Sequence, residues 1–377
     1  MRPGWWRWMG SLPGGLVGML VVVAGVEGLV GSRSLGLLNA QGLGLRFAAE
    51  AATRQAPGCA VLALGDSTVK VGFDPIQAAN VLGAGRPSYN LAVAGAPTPV
   101  AWALYRRARR AGARPSAVVF GCLSLMGDPR DRVDDLAEVM TPAEALRLAW
   151  DCDDARLFAA LTVRMALPSL HYRAGLRAAA LERLGARSGA AGNPRPFPGR
   201  DAARWCFGAW ASRRGADPHL FDGRLQGRLA PDVARQLNTE IWRVNPVYLL
   251  YAHRLADLAA REGVPLFWLV PPIAPEAQAH RDAAGLDARH TMNLRLTVGT
   301  IPGVVVLDAR RAGYPAALFG DALHLNAAGA ARFSAEVSAA IVGHLDGHDP
   351  VRWVALGNPG NDATARIATG PGGVSRR

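Results

Sequence analysis

Ser67, Asp321 and His324 are the residues whose types and spacing could do chemistry together. A serine hydroxyl is a poor nucleophile until a base takes its proton, and an imidazole titrating near neutral pH suits that task. A carboxylate on the other ring nitrogen fixes the tautomer and stabilises the imidazolium as it forms. Asp321 and His324 stand three apart in Gly320-Asp321-Ala322-Leu323-His324-Leu325-Asn326, so one loop can hold both. Ser67 ends Gly65-Asp66-Ser67, directly after the apolar run Cys59-Ala60-Val61-Leu62-Ala63-Leu64. A short apolar run closed by a turn reads as a buried parallel strand. Ser67 then lies at the carboxyl end of a central strand, where open α/β sheets hold their ligands. Asp66 reads as the residue that orders this turn.

Other assignments compete with that set. Lys70, the only lysine in the chain, follows Ser67 by three residues, and Ser-x-x-Lys is a nucleophile–base arrangement in its own right. Asp308 follows a predicted strand and is a rival acid for His324. His171, His219, His253, His280 and His290 lack ligand spacing and read as surface or cap histidines. The four cysteines, Cys59, Cys122, Cys152 and Cys206, form no CxxC pair, which argues against a metal site. Cys59 and Cys122 flank predicted core strands and read as small buried hydrophobes. Cys152 and Cys206 could pair in an oxidising compartment.

The elements that must position these residues alternate along the chain. A helix is predicted over Gly42–Gln55 and a first strand ending at Leu64. Asp74 and Pro75 start a helix to Leu82 as cap and first-turn residue. Strands at Ser88–Ala92 and Ala117–Phe120 flank a helix at Pro97–Ala111, whose late arginines complement the helix dipole. Between about Gly127 and Gln236 the pattern changes to helical stretches, such as Pro142–Trp150 and Ala155–Leu167, with a Gly/Pro-rich loop at Gly185–Gly199. That segment reads as a mostly helical insertion able to cover the cleft. Alternation resumes with a helix from Asn245-Pro246 to Glu262, a strand at Val264–Val270, a stiff Pro271-Pro272-Ile273-Ala274-Pro275 loop and a strand at Val304–Leu307. Asn326 caps a last helix, Ala327–His344. Strands alternating with helices specify a parallel sheet covered on both faces.

With 377 residues the chain can bury one sizeable core, or a core and a subdomain. Its net charge of +12 is almost entirely arginine, scattered and without a nucleic-acid motif, so nucleic acid is not an expected partner. Arg2 and Arg7 precede an uncharged, glycine-rich stretch from Trp8 to Val26, interrupted at its end by Glu27. The stretch approaches the ~20 residues that cross a bilayer, and Trp5, Trp6 and Trp8 would suit an interfacial belt. A signal anchor and a cleaved signal peptide, with Leu38-Asn39-Ala40 as a candidate cleavage site, are both readings of it. Either exports the rest of the chain, and the preceding arginines put the N-terminus inside.

The chain resembles the SGNH (GDSL-type) hydrolases on three of that family's four short blocks. Gly65-Asp66-Ser67 resembles the first, Tyr89-Asn90-Leu91-Ala92-Val93-Ala94-Gly95 the second, and Asp321 with His324 the last. The third block, Gly-x-Asn-Asp, is represented only by Gly121 in Gly121-Cys122-Leu123-Ser124-Leu125-Met126-Gly127-Asp128, without its asparagine. The resemblance implies an α/β fold: a three-layer α/β/α sandwich with a mostly parallel five-stranded sheet, SGNH/flavodoxin-like, plus the insertion. It implies catalytic Ser67, Asp321 and His324 and an oxyanion hole of the Ser67 and Gly95 backbone N–H groups, with Ser124 or Asn90 as stand-ins for the missing asparagine. No cofactor and no metal are implied.

The domain boundaries expected are a signal anchor or signal peptide over 1–40, a catalytic domain from 41–126 and 237–348, the insertion at 127–236 and a disordered tail at 349–377. The function expected is a serine-dependent esterase on O-acyl esters, exported and single-pass at the cell membrane, or secreted after signal cleavage. The alternatives are an O-acyltransferase for cell-envelope polysaccharide and a non-catalytic glycan-binding protein.

Overall fold

The computed structural model describes residues 14–122, 127–183, 199–221, 244–347 and 352–357. In chain order the helices are α1 (Gly14–Ser32), α2 (Ala40–Arg54), α3 (Ser67–Gly72), α4 (Pro75–Leu82), α5 (Thr98–Arg110), α6 (Val133–Val139), α7 (Pro142–Asp151) and α8 (Ala155–Ala166). They continue with α9 (Pro168–His171), α10 (Arg173–Arg183), α11 (Gly199–Ser212), α12 (Pro246–Ala260), α13 (Pro275–Ala283), α14 (Leu286–Thr297) and α15 (Ala327–Leu345). The strands are β1 (Val61–Gly65), β2 (Ser88–Asn90), β3 (Ala117–Gly121), β4 (Leu266–Val270), β5 (Val304–Asp308) and β6 (Trp353–Ala355). They form one sheet in the order β2-β1-β3-β4-β5-β6, every neighbouring pair parallel.

Strands buried on both faces must alternate which core they feed, and these do. Leu62, Leu64, Val118, Phe120, Leu266, Trp268, Val304 and Val306 join one apolar cluster with α2, α5 and α12. Val61, Ala63, Ala117, Val119, Phe267, Leu269, Val305 and Leu307 join the other with α3, α4 and α15. The result is the expected α/β/α sandwich, and each fully buried aliphatic or aromatic side chain contributes roughly 1.5–3 kcal/mol to it. The chain leaves β1 for β2 on one side and crosses back to β3 on the other. That reversal opens a crevice at the carboxyl ends of β1 and β3, where such sheets bind ligands.

The caps read from sequence at Asp74 and Asn326 are in place, and Asn245 caps the helix it leads. Asp74, Asn245 and Asn326 each accept a backbone N–H from the first turn of the helix they precede. One expectation of the sheet differs from the structure. The sheet has six strands, because Trp353–Ala355, in the stretch expected to be disordered, pairs with β5. Leu356 is buried, its N–H bonds the Asp308 carbonyl, and the Arg295 guanidinium lies over the Trp353 ring at 5.4 Å. Leu136, Val139, Leu148, Leu157 and Leu161 of the helical insertion join the apolar cluster that α2 and α5 share with the sheet. Residues 185–198 of the Gly/Pro-rich loop and residues 222–236 of the expected insertion lie outside the described residues.

One described helix is long and apolar enough, by length and composition, to cross a membrane: Gly15–Ser32, mean hydropathy 1.9 and 6% buried, properties that membrane anchors and signal sequences share. Its C-terminal end is held by the domain. Glu27 accepts hydrogen bonds from the Ser169 backbone N–H, at 2.7 Å, and from the Ser169 hydroxyl. The candidate cleavage site is folded structure, since Leu38 is buried and Asn39 caps α2 by accepting the Gly42 N–H at 2.8 Å.

Candidate active site

The turn that carries Ser67 is made by a close approach of two strands. Gly65 has φ +143, and a Cβ there would stand 1.9 Å from the Gly121 carbonyl oxygen, so only glycine fits. The Asp66 N–H donates to that same carbonyl at 3.2 Å. The Asp66 carboxylate accepts the Thr68 N–H at 2.9 Å and the Thr68 hydroxyl at 2.7 Å, capping α3. Asp66 therefore orders the turn, and Ser67 opens the helix at the carboxyl end of β1.

The far end of the chain brings His324 to Ser67. In Phe319–Leu325 the strand-like bridge between Phe319 and Leu325 closes a tight loop, and the Gly320 N–H bonds the His324 carbonyl at 2.9 Å. Asp321 Oδ1 accepts the Leu323 and His324 backbone N–H groups, both at 2.8 Å. The His324 Nδ1 lies 2.9 Å from each Asp321 oxygen, and Nε2 lies 2.8 Å from the Ser67 hydroxyl oxygen. A carboxylate accepts only, so the proton is on Nδ1 and the Ser67 hydroxyl donates to Nε2. Burial would raise the Asp321 pKa, but the hydrogen bond and charge of His324 and the two backbone N–H groups outweigh it and hold the carboxyl below its ordinary 3.8. The His324 side chain is 11% exposed and Asp321 28%, which leaves the site reachable from solvent.

Packing fixes this arrangement from two sides. The Ala274 N–H bonds the Ala322 carbonyl at 3.0 Å, and Ile273 packs with Ala277 and Leu323. Below, buried Ser334 on α15 accepts the Asp74 N–H at 2.7 Å and donates to the Ala330 carbonyl at 2.7 Å, with the Gly72 carbonyl at 3.2 Å. The helix that follows His324 is thus tied to the end of the helix that begins at Ser67.

Gly95 lies beside this site's first loop, because the Val93 N–H bonds the Gly65 carbonyl at 3.0 Å. Gly95 is exposed and has φ +67, and its carbonyl accepts from the Arg132 guanidinium. Among the described residues, neither the Ser67 nor the Gly95 N–H has a hydrogen-bond partner. Two backbone donors therefore stand at adjacent loops at the carboxyl ends of β1 and β2.

No family model matches the chain, and no curated protein matches it.

Several rival assignments are not supported. Asn90 is not an oxyanion donor: it is buried, its amide N–H groups hold the Val69 and Phe73 carbonyls at 2.8 and 2.7 Å, and its oxygen accepts the Ala92 N–H. Ser124 lies outside the described residues. Asp308 is not the acid, since both its oxygens face Arg310. Lys70 is not the base. It is buried, its Nζ donates to the Gly215 carbonyl, and burial pushes its pKa down to about 8 against the pull of Asp217. All four cysteines are free thiols, so Cys152 and Cys206 are not bonded to each other. Burial raises the Cys122 pKa well above the ordinary thiol value, helped by Asp66, which leaves an inert thiol at the edge of the crevice.

Two histidines expected at the surface are built into ion-pair clusters instead. His171 Nε2 bonds Glu138 at 2.9 Å with its side chain only 8% exposed. His290 Nδ1 accepts from Arg281 at 2.7 Å, and burial together with Arg281 and Arg310 drives its pKa to about 3. Among the described residues no three His, Cys, Asp or Glu side chains group as metal ligands.

One contact at the site has no sequence signal. The Phe221 ring stacks on the His324 imidazole, centroids 3.8 Å apart and planes within 12°.

Proposed function

We propose that this protein is a serine-dependent esterase that cleaves O-acyl esters through an acyl-enzyme on Ser67. The observation that carries the reading is the 2.8 Å contact from the Ser67 hydroxyl to His324 Nε2, with Asp321 on the opposite ring nitrogen. In this mechanism His324 takes the Ser67 proton as the oxygen attacks the acyl carbon. The Ser67–acyl bond forms as the carbonyl π electrons move onto oxygen. The N–H groups of Ser67 and Gly95 are the donors for that oxyanion. His324 then protonates the departing alcohol and deprotonates the water that releases the acid. The resemblance to SGNH hydrolases, on the same residues, supports this reading.

The departure at the third block fits a two-donor oxyanion hole, and each donor lost from such a hole costs ~10²–10³ in rate. The docked end of α1 favours an uncleaved anchor: Glu27 is bound to Ser169 and Asn39 caps α2, which joins the apolar core. The reading is therefore of an esterase tethered to the membrane, its catalytic domain on the outer side. The test is hydrolysis of p-nitrophenyl acetate by the full-length protein in detergent. Wild type should turn over, and Ser67→Ala and His324→Ala should fall by ~10⁴-fold. Equal rates for wild type and Ser67→Ala would sink it.

A further inference from the structure

Phe221 and Lys70 are far apart in sequence, yet both belong to one stretch of contacts over the site. The segment after α11 crosses the end of β2 closely: the Asn90 N–H bonds the Arg214 carbonyl at 2.9 Å, and a Cβ on Gly215 would stand 1.9 Å from the Asn90 oxygen. Lys70, on the nucleophile helix α3 and 5% exposed, donates through Nζ to the Gly215 carbonyl. Its ammonium lies 4.9 Å from the Trp210 ring centroid and 5.7 Å from that of Phe47. The Asp217 N–H returns to the Lys70 carbonyl at 3.0 Å. Four residues later the chain meets the His loop: a Cβ on Gly320 would come within 2.4 Å of the Phe221 oxygen, and the Phe221 ring covers the imidazole.

We propose that residues 210–221 form a strap that Lys70 pins to the nucleophile helix, so that Phe221, as a positioning residue, holds the catalytic imidazole against Ser67. The inference rests on the esterase reading above. An imidazolium forms only as the reaction proceeds, and the negative face of an aromatic ring attracts it more than it attracts neutral imidazole. The Phe221 contact therefore favours the transition state over the ground state, and its loss should lower kcat rather than raise KM. The flat stack also restricts rotation of the ring about the Nδ1–Asp321 hydrogen bond. A stack of this kind corresponds to about 3- to 10-fold in rate.

Leucine fills the Phe221 site without a π face, whereas tyrosine keeps one. With p-nitrophenyl acetate, Phe221→Leu should lose about 3- to 10-fold in kcat with KM unchanged, and Phe221→Tyr should stay within about twofold of wild type. The rate of fluorophosphonate labelling should fall by the same factor in Phe221→Leu, since labelling needs the same activated hydroxyl. Lys70→Met keeps the stem among the aromatic rings and removes the pin. The pin and the ring act as one unit, so the double variant Lys70→Met/Phe221→Leu should be no slower than the slower single variant. Wild-type kcat and labelling in Phe221→Leu would overturn the strap, as would fully additive losses in the double variant. An equal loss in Phe221→Tyr and Phe221→Leu, tracking a fall in Tm, would also overturn it, because only packing would then be at stake. A wild-type protein that neither hydrolyses nor labels would instead remove the esterase reading itself.

Discussion

Replacing Asp321 by asparagine isolates what the carboxylate does for His324. Asp321 Oδ1 already accepts two backbone N–H groups, from Leu323 and His324, at 2.8 Å each. An sp² oxygen has two lone pairs, so the Nδ1 proton relies on Oδ2, 2.9 Å away. Asparagine keeps Oδ1 for the loop and puts an NH₂ where Oδ2 stood. Two donors then face each other, and the imidazole resolves the conflict by moving its proton to Nε2. In that tautomer Nε2 cannot accept from Ser67. The same change in a well-studied triad protease costs ~10⁴ in kcat, which is about 5 kcal/mol of activation free energy. Because both loop hydrogen bonds survive, Tm should move by no more than a few degrees, and Asp321→Ala, which strips their acceptor, should lose stability as well as activity. Ester hydrolysis and thermal unfolding of the two variants side by side separate the effects. Activity within tenfold of wild type for Asp321→Asn would refute the assignment of Asp321 as the orienting acid.

Three further outcomes follow from the same contacts. Gly65→Ala places a methyl 1.9 Å from the Gly121 oxygen at φ +143, and should destabilise by about 3 kcal/mol or more, read as a large fall in Tm or loss of soluble protein. Asn90→Ala removes the side-chain donor to the Phe73 carbonyl and one of two donors to the Val69 carbonyl, which keeps the Phe73 N–H, and should cost about 1–3 kcal/mol of stability in a thermal melt. Acid should weaken the fold through Asp287 and Glu138. Burial alone would raise both, but Arg310 and Arg281 around Asp287, and His171 and Arg46 around Glu138, hold their pKa values below the ordinary 3.8 and 4.5. A depressed carboxyl pKa contributes stability that is full above the unfolded value and is lost as pH falls through the folded one. Tm should accordingly be flat above about pH 5 and drop steeply below about pH 4, and Asp287→Asn should flatten that drop. A Tm that stays level down to about pH 3 would count against these two ion-pair clusters.

Much of the framework was readable because local chemistry dictated it. The Val61–Leu64 run is apolar throughout and closed by Gly65-Asp66-Ser67, the pattern of a buried strand ending in a turn. Asp74-Pro75, Asn245-Pro246 and Asn326 declare helix starts through their own side chains. Asp321 and His324 share a loop, so their pairing needed no long-range information. What stayed hidden depends on partners distant in sequence. Trp353–Ala355 is a three-residue strand that exists because β5 offers it an edge. Asn90 and Lys70 have the right chemical types for a site, and only the fold shows that their polar atoms are spent on the Val69, Phe73 and Gly215 carbonyls. His290 looks like a surface histidine until α13 and β5 bring Arg281 and Arg310 against it. Phe221 is one of ten phenylalanines, and nothing in its neighbourhood along the chain marks it as the ring stacked on the His324 imidazole.

The most direct measurement is peptide mapping by mass spectrometry after the full-length protein is treated with a fluorophosphonate. The proton-relay account predicts a single phosphonylated peptide, modified on Ser67, and no adduct in His324→Ala over the same interval. An adduct on another residue, or none after prolonged exposure of folded wild-type protein, would contradict it.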